Sequence, residues 1–241
     1  ADTTTNIIGV AALGGVGARA SSTVNPAIRA YAGPRPGTSG SGRATTLRTA
    51  GGDAAISATS HTSADASVLS ISAGILVGGG VARTDANASP TVQAALGDRT
   101  DTDTAGGSVA VRAASIDDAS ADTFGINAAG GIGFGGSIAN ATTNPTITSA
   151  IGRNASIRAN NVSVLARHNV DVSGGELGGT GASATARAGS GALIAGGSGA
   201  SASASSSPIL DAGVSVGAGI TATGVVTLAS QALDTATVQA L

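Results

Sequence analysis

The chain has 241 residues, 38 of them glycine, with one tyrosine, two phenylalanines and no tryptophan, methionine or cysteine. Only 11% of residues are charged, all 12 basic residues are arginine, and the formal net charge is −2. This composition excludes a thick core of bulky side chains between a helix layer and a sheet, a disulfide framework and any thiolate metal site. It also lacks the basic stripe that a nucleic-acid partner requires. Disorder goes with low hydrophobicity and high net charge, yet hydrophobic residues reach 41% and mean hydropathy is +0.28. Glycine at every third position, the mark of collagen, is absent. A single glutamate, no lysine and scattered glycines disfavour a helical bundle. The longest apolar run, residues 7–13, is far too short to span a membrane.

In chain order, a glycine-rich block (7–20) precedes Pro26, which opens a β-favouring run closed by Gly33. A short strand (46–50) and an alternating run (53–58) follow, then a second glycine-rich block (71–83). The pattern returns from Pro90 to Gly97, a polar loop (98–104) replaces the short strand, and an alternating run (108–113) and a glycine-rich block (126–139) follow. From Pro145 to Gly152 it begins again, with a short strand (156–159), an alternating run (161–166) and a block at 189–204. The last copy starts at Pro208, its glycine degraded to Gly213, and continues through 219–222 and 224–229.

Proline lacks an N–H, so it can begin a strand but not sit in a central ladder. The β-branched residues after it suit a strand, and the closing glycine permits a turn at positive φ. In the alternating runs Val109, Val111 and Ala113 share one face, as do Val162, Val164 and Ala166. Glycine inside a strand pattern marks close approach of another backbone, so the glycine-rich blocks are expected to pack sheets closer than the usual ~10 Å. The motif prolines recur at unequal intervals, shortest between Pro90 and Pro145, while Ile7, Ile71 and Ile126 each stand at one fixed distance before theirs. Constant parts joined by variable loops predict an all-β, repetitive parallel β-solenoid with a small-residue core. It forms one continuous array over 1–241, with modules at 26–89, 90–144 and 145–207 and partial ones at 1–25 and 208–241. Each module is expected to supply two or three coils. No polar cap is evident at either end, so end-to-end continuation is expected.

The element 145–152, the run 155–166 and the small-residue Gly-Gly blocks together resemble the repeats of very large secreted β-solenoid proteins, the filamentous-haemagglutinin and leukotoxin-type adhesins of Gram-negative bacteria. The resemblance covers essentially the whole chain. It implies a non-catalytic stalk or fibre outside the cell, at the cell surface or in a biofilm matrix.

Candidate chemistry is sparse. Asp98, Asp101 and Asp103 form the acidic cluster with the spacing nearest to a Ca²⁺ loop, but without its glycine or terminal glutamate. The calcium-solenoid pattern Gly-Gly-x-Gly-x-Asp also fails, with Arg19 and Gly135 at the aspartate position. Asp117 and Asp118 are adjacent, so on a strand they point to opposite faces and cannot flank one bond. Glu176 has no evident partner. His61 and His168 both follow an alternating run and are expected at equivalent exposed turns. Thr-x-Thr pairs at 102/104, 146/148, 221/223 and 235/237 raise an ice- or surface-binding face, although they fall at different places in the module. The expectation is a structural protein with no catalytic residue, cofactor or metal, no nucleic acid and no membrane insertion. Its partners are copies of itself, joined head to tail or laterally, or flanking repeats of the same chain, with Pro26, Gly33, Pro90, Gly97, Pro145, Gly152 and Pro208 as the repeat motif.

Overall fold

The computed structural model describes residues 1–37, 44–170, 175, 177 and 181–241. Its elements are β1 (Asp2–Val24), β2 (Ala27–Ala32), β3 (Thr45–Arg48), β4 (Ala54–Ala88), β5 (Thr91–Leu96), β6 (Thr100–Asp103), β7 (Val109–Ala129), β8 (Ile132–Thr143) and β9 (Thr146–Ile151). They continue as β10 (Ser156–Ala159), β11 (Val162–His168), β12 (Gly181–Ala192), β13 (Ala195–Ser206), β14 (Ile209–Val214), β15 (Gly219–Ala222), β16 (Val226–Ala232) and β17 (Thr235–Ala240). All strand pairings among the described residues are parallel. The protein is a parallel β-solenoid.

Strands pair with their equivalents one module away. One sheet runs β2-β5-β9-β14, a second β3-β6-β10-β15, and the third joins β4, β7, β11 and β16. The carbonyls of Pro26, Pro90 and Pro145 accept the N–H groups of Thr91, Thr146 and Ile209 at 2.8–2.9 Å. The motif prolines therefore stack in one column, and each module is a single coil rather than two or three. The reason is that, among the described residues, no strand finds a partner within its own module.

Three sheets enclose the core. Columns of like residues run through it: Ile28–Val92–Ile147–Leu210, Ile56–Val111–Val164–Leu228 and Ala54–Val109–Val162–Val226. Beyond this three-sided body the third sheet extends as a flat arm. The chain runs outward along the second half of β7, reverses at Gly130-Gly131 and returns along β8, whose inner face packs on β7; Thr123 Oγ1 donates to the Ile138 carbonyl across the arm at 2.9 Å. Alanines fill the arm interior, among them Ala64, Ala82, Ala119, Ala139 and Ala184. A Cβ on Gly125 would lie 2.8 Å from Ser137 Oγ, and one on Gly80 2.7 Å from Asn127 Oδ1. Glycine thus lets the two faces approach where the opposite sheet carries a larger side chain.

Five details differ from expectation. The stretch 98–104 contains β6, whose threonines point inward and aspartates outward, and it pairs with both β3 and β10. The short spacing of the second coil arises elsewhere, because twelve residues (33–44) link β2 to β3 where three (97–99) link β5 to β6. Ile71 and Ile126 align with Ile8, not Ile7, because β4 has one more residue than β1 around the arm's reversal. In the last coil the register puts Val226 opposite Val162, one residue later than the pattern 224–229 implies, and a slip of one residue exchanges the faces. There Ser215, not Gly213, takes the closing-glycine position beside Gly152; its N–H donates to the Ile151 carbonyl at 2.9 Å, while Gly213 pairs with Ala150.

Candidate functional site

The densest polar chemistry in the described residues is a ladder at the junction of body and arm. Asp117 lies in mid-β7 and is fully buried, one strand position from the half-buried Asp118 on the outer face. Thr62 of the coil before it and Ser115 two residues earlier donate their hydroxyls to Asp117 Oδ1, the latter at 2.9 Å. Its other oxygen, Oδ2, lies 3.0 Å from His168 Nε2, and the opposite ring nitrogen, Nδ1, lies 2.8 Å from Asp234 Oδ1. The ring N–H directions are not aligned with these oxygens, so both are close polar contacts rather than directed hydrogen bonds. Asn169, with φ of 54°, completes the set by accepting the Asp117 N–H at 2.8 Å.

The sequence explains why the ring belongs there. Gly181 pairs with Asp118 on one side and Thr235 on the other. Asp117 and Asp234, each one residue earlier, therefore stand two layers apart in one column, about 10 Å. The third coil has twelve residues (169–180) between His168 and Gly181 where its neighbours have two (116–117 and 233–234). Among the described residues the paired strands stop at His168 and resume at Gly181, and the His168 ring lies between the two carboxylates.

His168 and His61 are not equivalent. His168 pairs with Ser115 and is buried, whereas His61 pairs with Ile116 and is exposed, one position out of phase. Both lie in strands rather than turns. Asp117 and Asp118 likewise sit in mid-strand and not at a turn. Burial raises the Asp118 carboxyl above the ordinary range, reinforced by Asp65 and opposed by His61.

The other sequence candidates fall apart spatially. Asp98 Oδ1 accepts the Arg153 N–H at 2.7 Å and Oδ2 the Gly37 N–H at 3.1 Å, so its carboxylate ties together turns of three coils. Asp101 and Asp103 face outward from β6, and no group of three or more Asp, Glu, His or Cys side chains converges among the described residues. Glu176 lies outside the described residues. Thr102 and Thr104 are buried inside, while Thr146 and Thr148 lie on the outer face of a different sheet; Thr221 pairs with Arg158 and Thr237 with Ser183, so the pairs form no common row. Gly33, Gly97 and Gly152 do stack. A Cβ on Gly97 would fall on the Pro34 carbonyl, and one on Gly152 would lie 2.5 Å from the Gly97 carbonyl carbon. Only Gly33 of the three has positive φ, so close stacking rather than turn geometry demands glycine at the other two.

The Asp-His-Asp ladder escapes sequence reasoning. A signal for it is nonetheless present: Asp117 and Asp234 each stand eight residues after the first valine of their inward-facing run, Val109 and Val226. No protein-family model, curated protein or solved structure matches the chain.

Proposed function

We propose that the protein is a structural segment of a long extracellular bacterial fibre, an adhesin stalk or a biofilm-matrix filament. It is non-catalytic and works by stacking end to end with further coils. One observation carries the reading. The apolar columns that bury Val162 and Val164 to 1% and 0% exposure continue to Val226 and Leu228, which are 44% and 45% exposed. Among the described residues no further strand pairs with the outer edges of β14, β15 and β16. A further coil of the same pattern, from this protein or from another copy, would cover both the side chains and the edge. Columns repeated with a period of one coil suit a scaffold whose length grows by adding modules.

Negative-stain electron microscopy of the purified chain tests this. Filaments one solenoid wide are expected, and they should be lost when the open edge is blocked by Leu228→Pro. Val225 directs its carbonyl at β11 and Leu233 its N–H, so the N–H of the even-numbered Leu228 points to the open edge. Dispersed single particles from the unaltered chain at high concentration would contradict the reading.

A further inference from the structure

The distal arm reverses the usual polarity of a sheet in water. In 7–18, 71–82 and 125–139 the only polar side chains are Ser72, Asn127 and Ser137, and all three point inward, 1%, 2% and 0% exposed. Ser72 Oγ donates to the Gly79 carbonyl at 3.1 Å and Ser137 Oγ to the Arg187 carbonyl at 2.6 Å. The outward positions of these segments hold only glycine, alanine and larger apolar residues. Ile75 and Leu76 at the reversal are 68% and 61% exposed, and Val81 and Phe134 on the returning face 53% and 59%, although their coils have neighbours on both sides. The fourth coil again carries exposed Leu193 and Ile194 at its reversal.

We propose that the distal arm is a lipid-binding wedge, which embeds its reversal and both outer faces in one leaflet of a bilayer. Apolar outward and polar inward is the alternation of sheets surrounded by hydrocarbon. A second copy fits less well, because pairing two flat faces covers one side and leaves the reversal and the other side in water. The depth also fits a leaflet. The charged side chains nearest the reversal are Arg19 and Arg83 on the returning face and Asp122 and Arg187 on the outbound one, six to eight residues down. That is roughly 20–26 Å from the reversal. One leaflet offers about 15 Å of hydrocarbon and a headgroup layer ending about 20–22 Å from the midplane. Charges of both signs at that level suit zwitterionic headgroups. Strands of the interior coils are paired along both edges, so they carry few free N–H groups into hydrocarbon. The run 7–13 is too short to span a bilayer, but a wedge has only one leaflet to enter.

Flotation on a density gradient with phosphatidylcholine vesicles tests this, since filaments alone do not float. The unaltered chain should float with the vesicles. Ile75→Asp with Leu76→Asp, at exposed positions, should abolish flotation and leave the far-UV spectrum unchanged. The chain has no tryptophan, so Phe134→Trp supplies a single reporter in an otherwise unaltered protein. Vesicles brominated in their acyl chains should remove most of its emission and spare that of Thr148→Trp, on the outer face of β9 in the body. A chain that stays at the bottom of the gradient, a double variant that still floats, or equal quenching at the two positions would overturn the proposal. A dimer that forms in place of flotation would do the same. The double variant leaves the coil ends untouched, so its filaments under the microscope test the fibre reading separately.

Discussion

At the scale of single residues, the solenoid is held to a demanding rule, because whatever points inward is sandwiched between copies of its own column. Asp117 and His168 obey it as a mutual pair. Removing one member leaves the other a buried polar group without its neighbour, so His168→Ala and Asp117→Ala are each expected to cost about 2 kcal/mol in chemical denaturation. The double variant should cost less than the sum of the two. Additive losses would show that the contacts at 3.0 and 2.8 Å are not coupled. Thr102 breaks the rule. Its hydroxyl is buried without a partner between Leu47 and Ile157. Thr102→Val keeps the shape and removes the orphan, and should stabilise by about 1 kcal/mol. Two carboxylates respond to acid in opposite directions. Burial pushes Asp85 up, but hydrogen bonds from Arg83 and Asn140, with the charge of Arg83 and a bond from Arg19, outweigh it and hold the group below the ordinary range. Its contribution is complete above the ordinary carboxylate value of about 3.9 and is lost as pH falls through the depressed one. Asp118 is raised, so its contribution is absent at neutral pH and grows as pH falls through the raised value. Asp118→Asn should therefore stabilise the protein at pH 7, with the gain vanishing towards pH 3. A gain independent of pH would count against the assignment.

At the scale of elements, the strands are legible in the sequence because alternation and β-branching report local structure faithfully. The proline column, the runs led by Val109 and Val162 and the small-residue arm all follow from such signals. What fails is counting across loops. A single extra residue before Val226 exchanges inward and outward positions, and a strand as polar as Thr-Asp-Thr-Asp (β6) reads as a loop because its inward residues are threonines, Thr102 standing in a row otherwise filled by Leu47 and Ile157. The His168 ladder is illegible for a related cause, since it joins residues of three coils through a gap that no local pattern records. The body buries Val, Leu and Ile, each contributing about 1.5–3 kcal/mol, whereas the arm buries mostly alanine. Hydrogen exchange should accordingly protect β5, β9 and β11 longest and release the arm's reversal near Gly130 first. Uniform protection along β7 would contradict that division. Gly97→Ala and Gly152→Ala, whose new methyl groups meet backbone that cannot rotate away, should each lower the denaturation midpoint markedly.

At the scale of the whole molecule, one structural claim underlies the proposed filament and the proposed lipid-binding arm: each module of the sequence is one layer of the stack. Ala27, at the start of β2, and Ile209, at the start of β14, are exposed positions on the outer strands of one four-stranded sheet, three layers apart. Spin labels at Ala27→Cys and Ile209→Cys measure that separation directly by pulsed dipolar spectroscopy. One coil per module places the labelled backbones about 15 Å apart, whereas two or three coils per module would place them at about 30 Å or beyond. A distance distribution centred near the shorter of these separations is predicted, and one centred at or beyond the longer would contradict the account.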